Sequence, residues 1–169
     1  MELEVAKEHL LHVLLVDDDS TDRELFIDAI GLAGKGYTVS EASHGREAID
    51  HLEASEKLPD LIILDLNMPV MDGRETLKFI KTHDLYKSIP VCIMSTSSAH
   101  FDIVNAYNDG ANLFLVKPFD FKELIEMLSS LLTLFSKYVT LAEKKVIPSS
   151  WNFHLTSVSS SLLIIVVWV

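Results

Sequence analysis

Residues 9–19 read HLLHVLLVDDD, a nearly continuous apolar run that ends in three consecutive aspartates. A run of this length with so little polar alternation is typical of a β-strand that is buried on both faces. Such strands belong to parallel sheets, because the helical crossovers between parallel strands cover both faces of the sheet. This stretch therefore predicts an α/β fold in which acidic side chains follow the first strand.

The same alternation of apolar runs and helical patterns continues along the chain. Strands are expected at 9–16, 37–42, 61–64, 90–94 and 112–116, and helices at 25–33, 45–54, around 77–80, at 99–109 and at 119–135. Five strands alternating with five helices predict a doubly wound parallel sheet covered on both faces. Right-handed crossovers leave few topologies, and among them we expect the five-stranded flavodoxin-like order 2-1-3-4-5.

The composition excludes several classes of function. Fourteen basic residues against twenty-five acidic ones give a formal charge of −11, which argues against binding to nucleic acid, since that binding requires basic side chains on the phosphates. A single cysteine, Cys92, excludes an internal disulfide framework and fits a reducing compartment. The first residues carry charges rather than a signal peptide. We therefore expect a cytoplasmic protein.

The last part of the chain departs from the pattern. We expect a domain at residues 1–136 and an extension at 137–169 that is poorly ordered or continues the last helix until Pro148. From position 146 onward there is no charged residue, and residues 162–169 read LLIIVVWV. A membrane span needs about 20 predominantly apolar residues. A tail anchor at 146–169 is therefore the less favoured reading of this segment.

Polar side chains stand at the expected carboxyl ends of four strands. Asp17 and its two acidic neighbours follow the first strand, Asp65 follows the third, Ser95 ends the fourth and Lys117 follows the fifth. In parallel α/β sheets ligands bind at this edge. A single aspartate after a strand is commonly a helix cap, and Asp19 or Ser20 is expected to cap the first helix. The conjunction of all four positions instead predicts a site.

The acidic cluster requires a positive partner. Two carboxylates about 4 Å apart repel by roughly 4 kcal/mol at an effective dielectric of 20. Lys117 offsets part of this repulsion, and Mg²⁺, which prefers oxygen ligands, offsets more. A carboxylate nucleophile, a metal, a lysine and a hydroxyl together suit phosphoryl transfer.

Four motifs carry a resemblance to a known family. LLVDDD (14–19), LIILDLNMPVMDG (61–73), PVCIMS (90–95) and LVKPF (115–119) resemble the response-regulator receiver domain of two-component signalling. The resemblance covers roughly residues 10–135, and the motifs fall in the right order at the right strand ends. It implies a phosphoacceptor in a phosphorelay that catalyses only its own phosphorylation and dephosphorylation. Because the residues after 136 are too few and too poor in charge to bind DNA, we expect a stand-alone receiver without a DNA-binding output domain.

The resemblance also implies roles for individual residues. Asp65 would accept the phosphoryl group from a histidine kinase or a phosphotransfer protein. Asp17, Asp18, Asp65 and the backbone carbonyl of Asn67 would hold Mg²⁺. Lys117, expected to precede a cis Pro118, would pair with the phosphoryl group, Ser95 would bind one of its oxygens, and Phe114 would act as an aromatic switch. Asn67 and Ser97 would tune dephosphorylation.

Two alternatives remain open at this point. A haloacid-dehalogenase-type phosphatase fits Asp17-x-Asp19-x-Thr21, but it needs a later acidic pair and leaves Asp65 unexplained. An inactive docking module is the other alternative, although every site position is filled. In the favoured reading, a downstream protein docks on the surface of the fourth helix, the fifth strand and the last helix. The sequence identifies neither that protein nor the kinase, the phosphoryl lifetime or the oligomeric state.

Overall fold

The computed structural model describes residues 10–142, which form a single parallel sheet flanked by helices. In chain order the elements are β1 (Leu11–Val16), α1 (Ser20–Ala33), β2 (Tyr37–Ala42), α2 (Gly45–Ala54), β3 (Leu61–Leu64), α3 (Gly73–Thr82), β4 (Val91–Ser95), α4 (His100–Asn108), β5 (Leu113–Val116) and α5 (Phe121–Lys137). The five strands lie in the order β2-β1-β3-β4-β5, and every neighbouring pair is parallel. The predicted flavodoxin-like topology is confirmed.

The helices divide between the two faces of the sheet. Alternate residues of β1 point in opposite directions, so Leu14 and Val16 pack with α2, α3 and α4, whereas Val13 and Leu15 pack with α1 and α5. All four of these side chains are essentially inaccessible to solvent. Burial on both faces is the reason that β1 is apolar without alternation.

Aspartate caps fix the helix starts and explain small differences from the expected ranges. Asp19 accepts hydrogen bonds from the backbone N–H groups of Thr21 and Asp22, so α1 begins at Ser20. Asp120 caps α5 in the same way. The last helix therefore begins at Phe121, two positions after the expected start at Phe119.

The last helix ends within the described part of the chain. It stops at Lys137, and the backbone N–H of Tyr138 closes it on the carbonyl of Leu134. Val139 and Leu141 pack against the core on the α1 and α5 side. The helix thus does not continue toward Pro148, and the expectations for 143–169, including the tail anchor at 146–169, lie outside the described residues. Within residues 10–142, no helix has both the length and the apolar character needed to cross a bilayer.

One glycine brings the loop after β3 close to the strand end. A β-carbon on Gly73, the first residue of α3, would overlap the backbone carbonyl oxygen of Asp65. The N–H of Gly73 donates to the carbonyl of Leu66 at 3.0 Å. Only glycine permits this approach, and the loop that follows Asp65 is thereby folded back over the end of β3.

Candidate functional site

The carboxyl edge of the sheet collects the predicted residues. Asp17 directly follows β1, Asp65 follows β3, Lys117 follows β5, and Ser95 is the last residue of β4. Since β1, β3, β4 and β5 are consecutive neighbours in the sheet, their ends lie side by side. The order of the strands therefore turns four separate positions in the sequence into one site.

Three aspartates at this edge form a cluster. One carboxylate oxygen each from Asp17, Asp18 and Asp65 lies within 4.8 Å of the other two. Asp17 and Asp65 are buried, while Asp18 is exposed. Hard oxygen donors that keep one side open to water match the needs of Mg²⁺, which retains part of its hydration shell in proteins. The donor set therefore fits the expected cation.

Lys117 is mostly buried and lies beside two of these aspartates. Its Nζ is 2.6 Å from Oδ2 of Asp17, 2.9 Å from Oδ2 of Asp22 and 3.7 Å from Oδ1 of Asp65. Burial opposes the charge, but the hydrogen bonds to Asp17 and Asp22 and the attraction of Asp65 outweigh it, so the pKa of Lys117 is raised. The site consequently contains a permanent ammonium group.

Asp17 is the most constrained of the acids. Burial raises the pKa of its carboxyl above the usual value, and the hydrogen bond from Lys117 offsets only part of that effect. The backbone N–H of Asp19 donates to its Oδ1, and the guanidinium of Arg23 donates to its carbonyl oxygen. Asp17 is therefore held from both its side chain and its backbone.

Asp65 is oriented by its own loop. Its Oδ2 accepts a 3.0 Å hydrogen bond from the backbone N–H of Asn67. The opposite oxygen, Oδ1, is the one nearest to Lys117. One oxygen of the carboxylate is thus held by the loop and the other lies nearest to the ammonium group, and 7% of the residue is exposed. This small exposure leaves a narrow approach for a reactant.

Two serines lie at and just beyond the end of the fourth strand. Ser95 is fully buried, and its hydroxyl oxygen accepts a 3.2 Å hydrogen bond from the backbone N–H of Ser97. The hydroxyl of Ser97 donates instead to Asp102 of α4 at 2.6 Å. The structure therefore places Ser95 at the strand end as expected. The side chain of Ser97, in contrast, is hydrogen-bonded to α4.

Phe114 lies one strand away, in β5. Its ring is partly buried and packs against the core formed with α2, α3 and α4. Because Phe114 pairs in register with Ile93 of β4, it lies beside the strand that ends in Ser95.

One sequence-based expectation about the backbone is wrong. No peptide bond in residues 10–142 is cis, so the bond between Lys117 and Pro118 is trans. The ammonium group reaches Asp17 and Asp22 with the trans bond. The intrinsic preference of the peptide bond before proline is also for trans, by about 0.5–1 kcal/mol.

Sequence reasoning missed several charged residues near the site, including Arg23, which donates to the carbonyl of Asp17. Asp22 contacts Lys117, and Arg74 of α3 donates a 2.7 Å hydrogen bond to Asp102 of α4. Each lies in the first turn of a helix that begins at the same edge of the sheet. That placement was a usable signal, because helix starts follow strand ends in this topology.

Comparison with known proteins gives a consistent result. The family model for the response regulator receiver domain matches residues 13–129. The chain is 41% identical over 120 residues to the transcriptional regulatory protein PrrA of Mycobacterium leprae, which covers 71% of this chain and 49% of PrrA. It is 34% identical over 122 residues to a chemotaxis protein CheY homolog of Campylobacter jejuni, covering 72% of this chain and 92% of that protein. The chain thus spans about half the length of PrrA and nearly all of the CheY homolog.

Solved structures agree with the sequence relatives. The crystal structure of the phosphorylated cyanobacterial phytochrome response regulator RcpA is similar with a TM-score of 0.73 and 32% identity, over 78% of this chain and 98% of that one. The chemotaxis response regulator CheY4 of Vibrio cholerae gives a TM-score of 0.62 and 33% identity, over 72% and 98% of the two chains. Since the family model spans more than half of the chain, the chain belongs to the response regulator receiver domain family of two-component signalling.

Proposed function

We propose that this chain accepts a phosphoryl group on Asp65 from a histidine kinase or a phosphotransfer protein. Receiver domains are signalling proteins that interact with such donors. The observation that carries the proposal is the placement of Lys117, whose ammonium lies 3.7 Å from Oδ1 of Asp65 beside a cluster of three aspartates. This arrangement brings a nucleophile and a counter-charge to one point.

The transfer step follows from the chemistry of the groups. A carboxylate oxygen of Asp65 attacks the phosphorus of the phosphohistidine, and the O–P bond forms as the P–N bond breaks. The electron pair of the broken bond leaves with the imidazole nitrogen. Lys117 stabilises the negative charge that remains on the phosphoryl oxygens. The hydroxyl of Ser95 accepts from the backbone N–H of Ser97 and keeps its own proton, which it can donate to one of these oxygens.

A divalent cation belongs to the proposal. Asp17, Asp18 and Asp65 would hold Mg²⁺, together with the backbone carbonyl oxygen of Asn67. When bound, Mg²⁺ neutralises charge on the phosphoryl oxygens and reduces the repulsion between the incoming group and the aspartates. The exposed position of Asp18 supports this role, because it leaves the metal side of the cluster open to water and to a reactant.

The output is proposed to be a change in protein binding. Six large apolar side chains of α4, the end of β5, the loop after it and the start of α5 are exposed, namely Phe101, Val104, Tyr107, Val116, Phe119 and Phe121. A concentration of exposed apolar side chains in consecutive elements supports a protein-docking surface. We propose that a downstream protein docks there, that Phe114 transmits the state of Ser95 to this face, and that Asn67 and Ser97 adjust the rate of dephosphorylation.

Further parts of the proposal concern the whole protein. We propose that residues 1–136 act as the receiver unit and that the chain catalyses only its own phosphorylation and dephosphorylation. The lone cysteine supports a reducing compartment, so the cytoplasm is the proposed location. Cys92 is fully buried in β4, and burial raises the pKa of its thiol to about 12, so it is an inert core residue.

Intact mass after incubation with acetyl phosphate and Mg²⁺ tests the function. One phosphoryl adduct is expected on the wild type and none on Asp65→Asn. Release of free phosphate without an adduct would favour a phosphatase instead. Absence of both adduct and release would contradict phosphoacceptance and leave docking as the remaining activity.

A further inference from the structure

The ammonium group of Lys117 is shared among three carboxylates, and one of them lies outside the acidic cluster. Asp22 belongs to the first turn of α1, and its Oδ2 is 2.9 Å from Nζ of Lys117. This distance is shorter than the 3.7 Å that separates the same Nζ from Asp65. The lysine is therefore hydrogen-bonded to Asp17 and Asp22, with Asp65 as its more distant neighbour.

The contact with Asp22 is more than a helix-terminal preference. An acidic residue in the first turn of a helix is favoured by the helix dipole whatever its surroundings. In α1, however, Asp19 already caps the free N–H groups, and the carboxylate of Asp22 reaches a lysine that follows β5. Asp22 thus connects α1 to the far strand of the site.

We propose that Asp22 is a positioning residue that holds the ammonium of Lys117 away from Asp65 until a phosphoryl group arrives. The inference rests on the proposed function, because it assigns Asp22 a part in phosphorylation of Asp65. Asp22 would act through Lys117 and touch neither the metal nor the phosphoryl group.

The competition follows from the charge that a phosphoryl group adds and from the exposure of the partners of Lys117. An ammonium group has three N–H donors, and two are used on Asp17 and Asp22. A phosphoryl group on Asp65 adds negatively charged oxygens that compete for the same ammonium. The side chain of Asp22 is 37% exposed against 3% for Asp17, so water can replace the lysine most easily at Asp22. The pair that yields is therefore the one with Asp22.

The rate of phosphorylation by acetyl phosphate measures this effect. In that reaction a carboxylate oxygen of Asp65 forms the new O–P bond, and acetate leaves with the electron pair of the broken P–O bond. Asp22→Asn keeps the size of the side chain and removes its charge. An ion pair with one partially exposed partner contributes a few tenths to one kcal/mol, so the variant should acquire the adduct about two to five times faster than the wild type.

Two controls separate positioning from simple loss of charge. Asp28→Asn removes the same charge from an exposed position further along α1 and should leave the rate unchanged. In a Lys117→Gln background, Asp22→Asn should no longer accelerate the reaction, because the residue through which it acts is gone.

The ¹⁵N resonance of the Lys117 ammonium reports on the contact with Asp22 in the absence of any phosphodonor. It should shift in Asp22→Asn and stay in place in Asp28→Asn.

The outcomes distinguish this inference from the proposed function. A wild type that takes up phosphate, with equal rates for Asp22→Asn and Asp28→Asn, overturns the positioning role and leaves phosphoacceptance intact. Acceleration that persists in the Lys117→Gln background would show that removing the charge of Asp22 acts directly on the anionic acetyl phosphate. That result also overturns the positioning role. If the Lys117→Gln proteins are phosphorylated too slowly for a rate to be measured, an unshifted ammonium resonance of Lys117 in Asp22→Asn overturns the positioning role. A wild type without adduct overturns both proposals.

Discussion

The hydroxyl of Ser97 donates a 2.6 Å hydrogen bond to Oδ2 of Asp102, which fastens the loop after β4 to the first turn of α4. Arg74 donates to the other oxygen of Asp102 at 2.7 Å, so α3 joins the same connection. The backbone N–H of Ser97 in turn donates to the hydroxyl of Ser95. A continuous chain of hydrogen bonds therefore runs from the buried serine of the site to the proposed docking face.

Asp102→Asn should weaken this connection in a pH-dependent way. The hydrogen bonds from Ser97 and Arg74 lower the pKa of the Asp102 carboxyl below its ordinary value of 3.8. A lowered folded-state pKa stabilises the fold above the unfolded pKa, and this contribution disappears as the pH falls through the folded value. Urea unfolding should thus show the wild type more stable than Asp102→Asn at pH 7, with the difference shrinking below about pH 4.

A double-mutant cycle checks that the loss comes from the connection itself. Ser97→Ala removes the donor of this hydrogen bond and Asp102→Asn removes the charge of its acceptor, so their effects on the unfolding free energy should not add. Additive effects would show that Ser97 and Asp102 stabilise the fold independently.

Addition of Mg²⁺ should stabilise the folded chain through the acidic cluster. A ligand that binds only the folded state at a hundred times its dissociation constant adds about 2.7 kcal/mol to the unfolding free energy. Asp18→Asn removes an exposed ligand without leaving a buried charge unpaired, so it should reduce this gain while unfolding normally in EDTA. Asp28→Asn is the matched control and should respond to Mg²⁺ like the wild type. An identical gain in Asp18→Asn would remove Asp18 from the metal site.

Val70→Asn should stabilise the protein. Val70 lies in the loop between β3 and α3 with φ at +67°, and 80% of the residue is exposed. A β-branched side chain in this left-handed conformation costs about 1–2 kcal/mol, whereas asparagine adopts it readily. We expect a gain of about 1 kcal/mol in urea unfolding, since the exposed valine gives up little burial.

The matched control for Val70 is a valine with ordinary backbone angles. Val104→Asn replaces an exposed valine within α4, where asparagine brings no conformational relief. It should leave stability unchanged or reduce it. A comparable gain at both positions would mean that polarity, rather than the backbone conformation of Val70, is responsible.

The sequence was sufficient for the fold because its strands are buried on both faces. Runs such as 61–64 are apolar throughout, and the helices between them show apolar residues at helical spacing. The carboxyl-end rule for parallel sheets then located Asp17, Asp65, Ser95 and Lys117 at one edge, where the structure places them. The start of a helix differs from the predicted one where a cap such as Asp120, and not the neighbouring apolar residues, determines where the helix begins.

Contacts between elements distant in sequence could not be predicted. The pair of Asp22 with Lys117 depends on the rotation of α1 about its axis, which packing against α5 determines. The engagement of Ser97 with Asp102 depends likewise on how α4 sits after β4. Residue type and spacing identify such side chains as polar and near the site, but the choice of partner is a tertiary property.

Lys81 should make folding stability depend on alkaline pH. Its Nζ donates to the carbonyl of Ile89 at 2.7 Å and to Oδ1 of Asn112 at 2.9 Å, and burial lowers the pKa of the amine to about 8. Between pH 8 and the ordinary value of 10.5, the unfolded chain binds the proton more tightly than the folded one. The unfolding free energy contributed by this group therefore rises with pH across that window. In Lys81→Met the rise should be absent from urea unfolding measured at closely spaced pH values. An identical rise in the variant and the wild type would assign the pH dependence to another group. It would also show that the hydrogen bonds of Lys81 keep its amine protonated across this window.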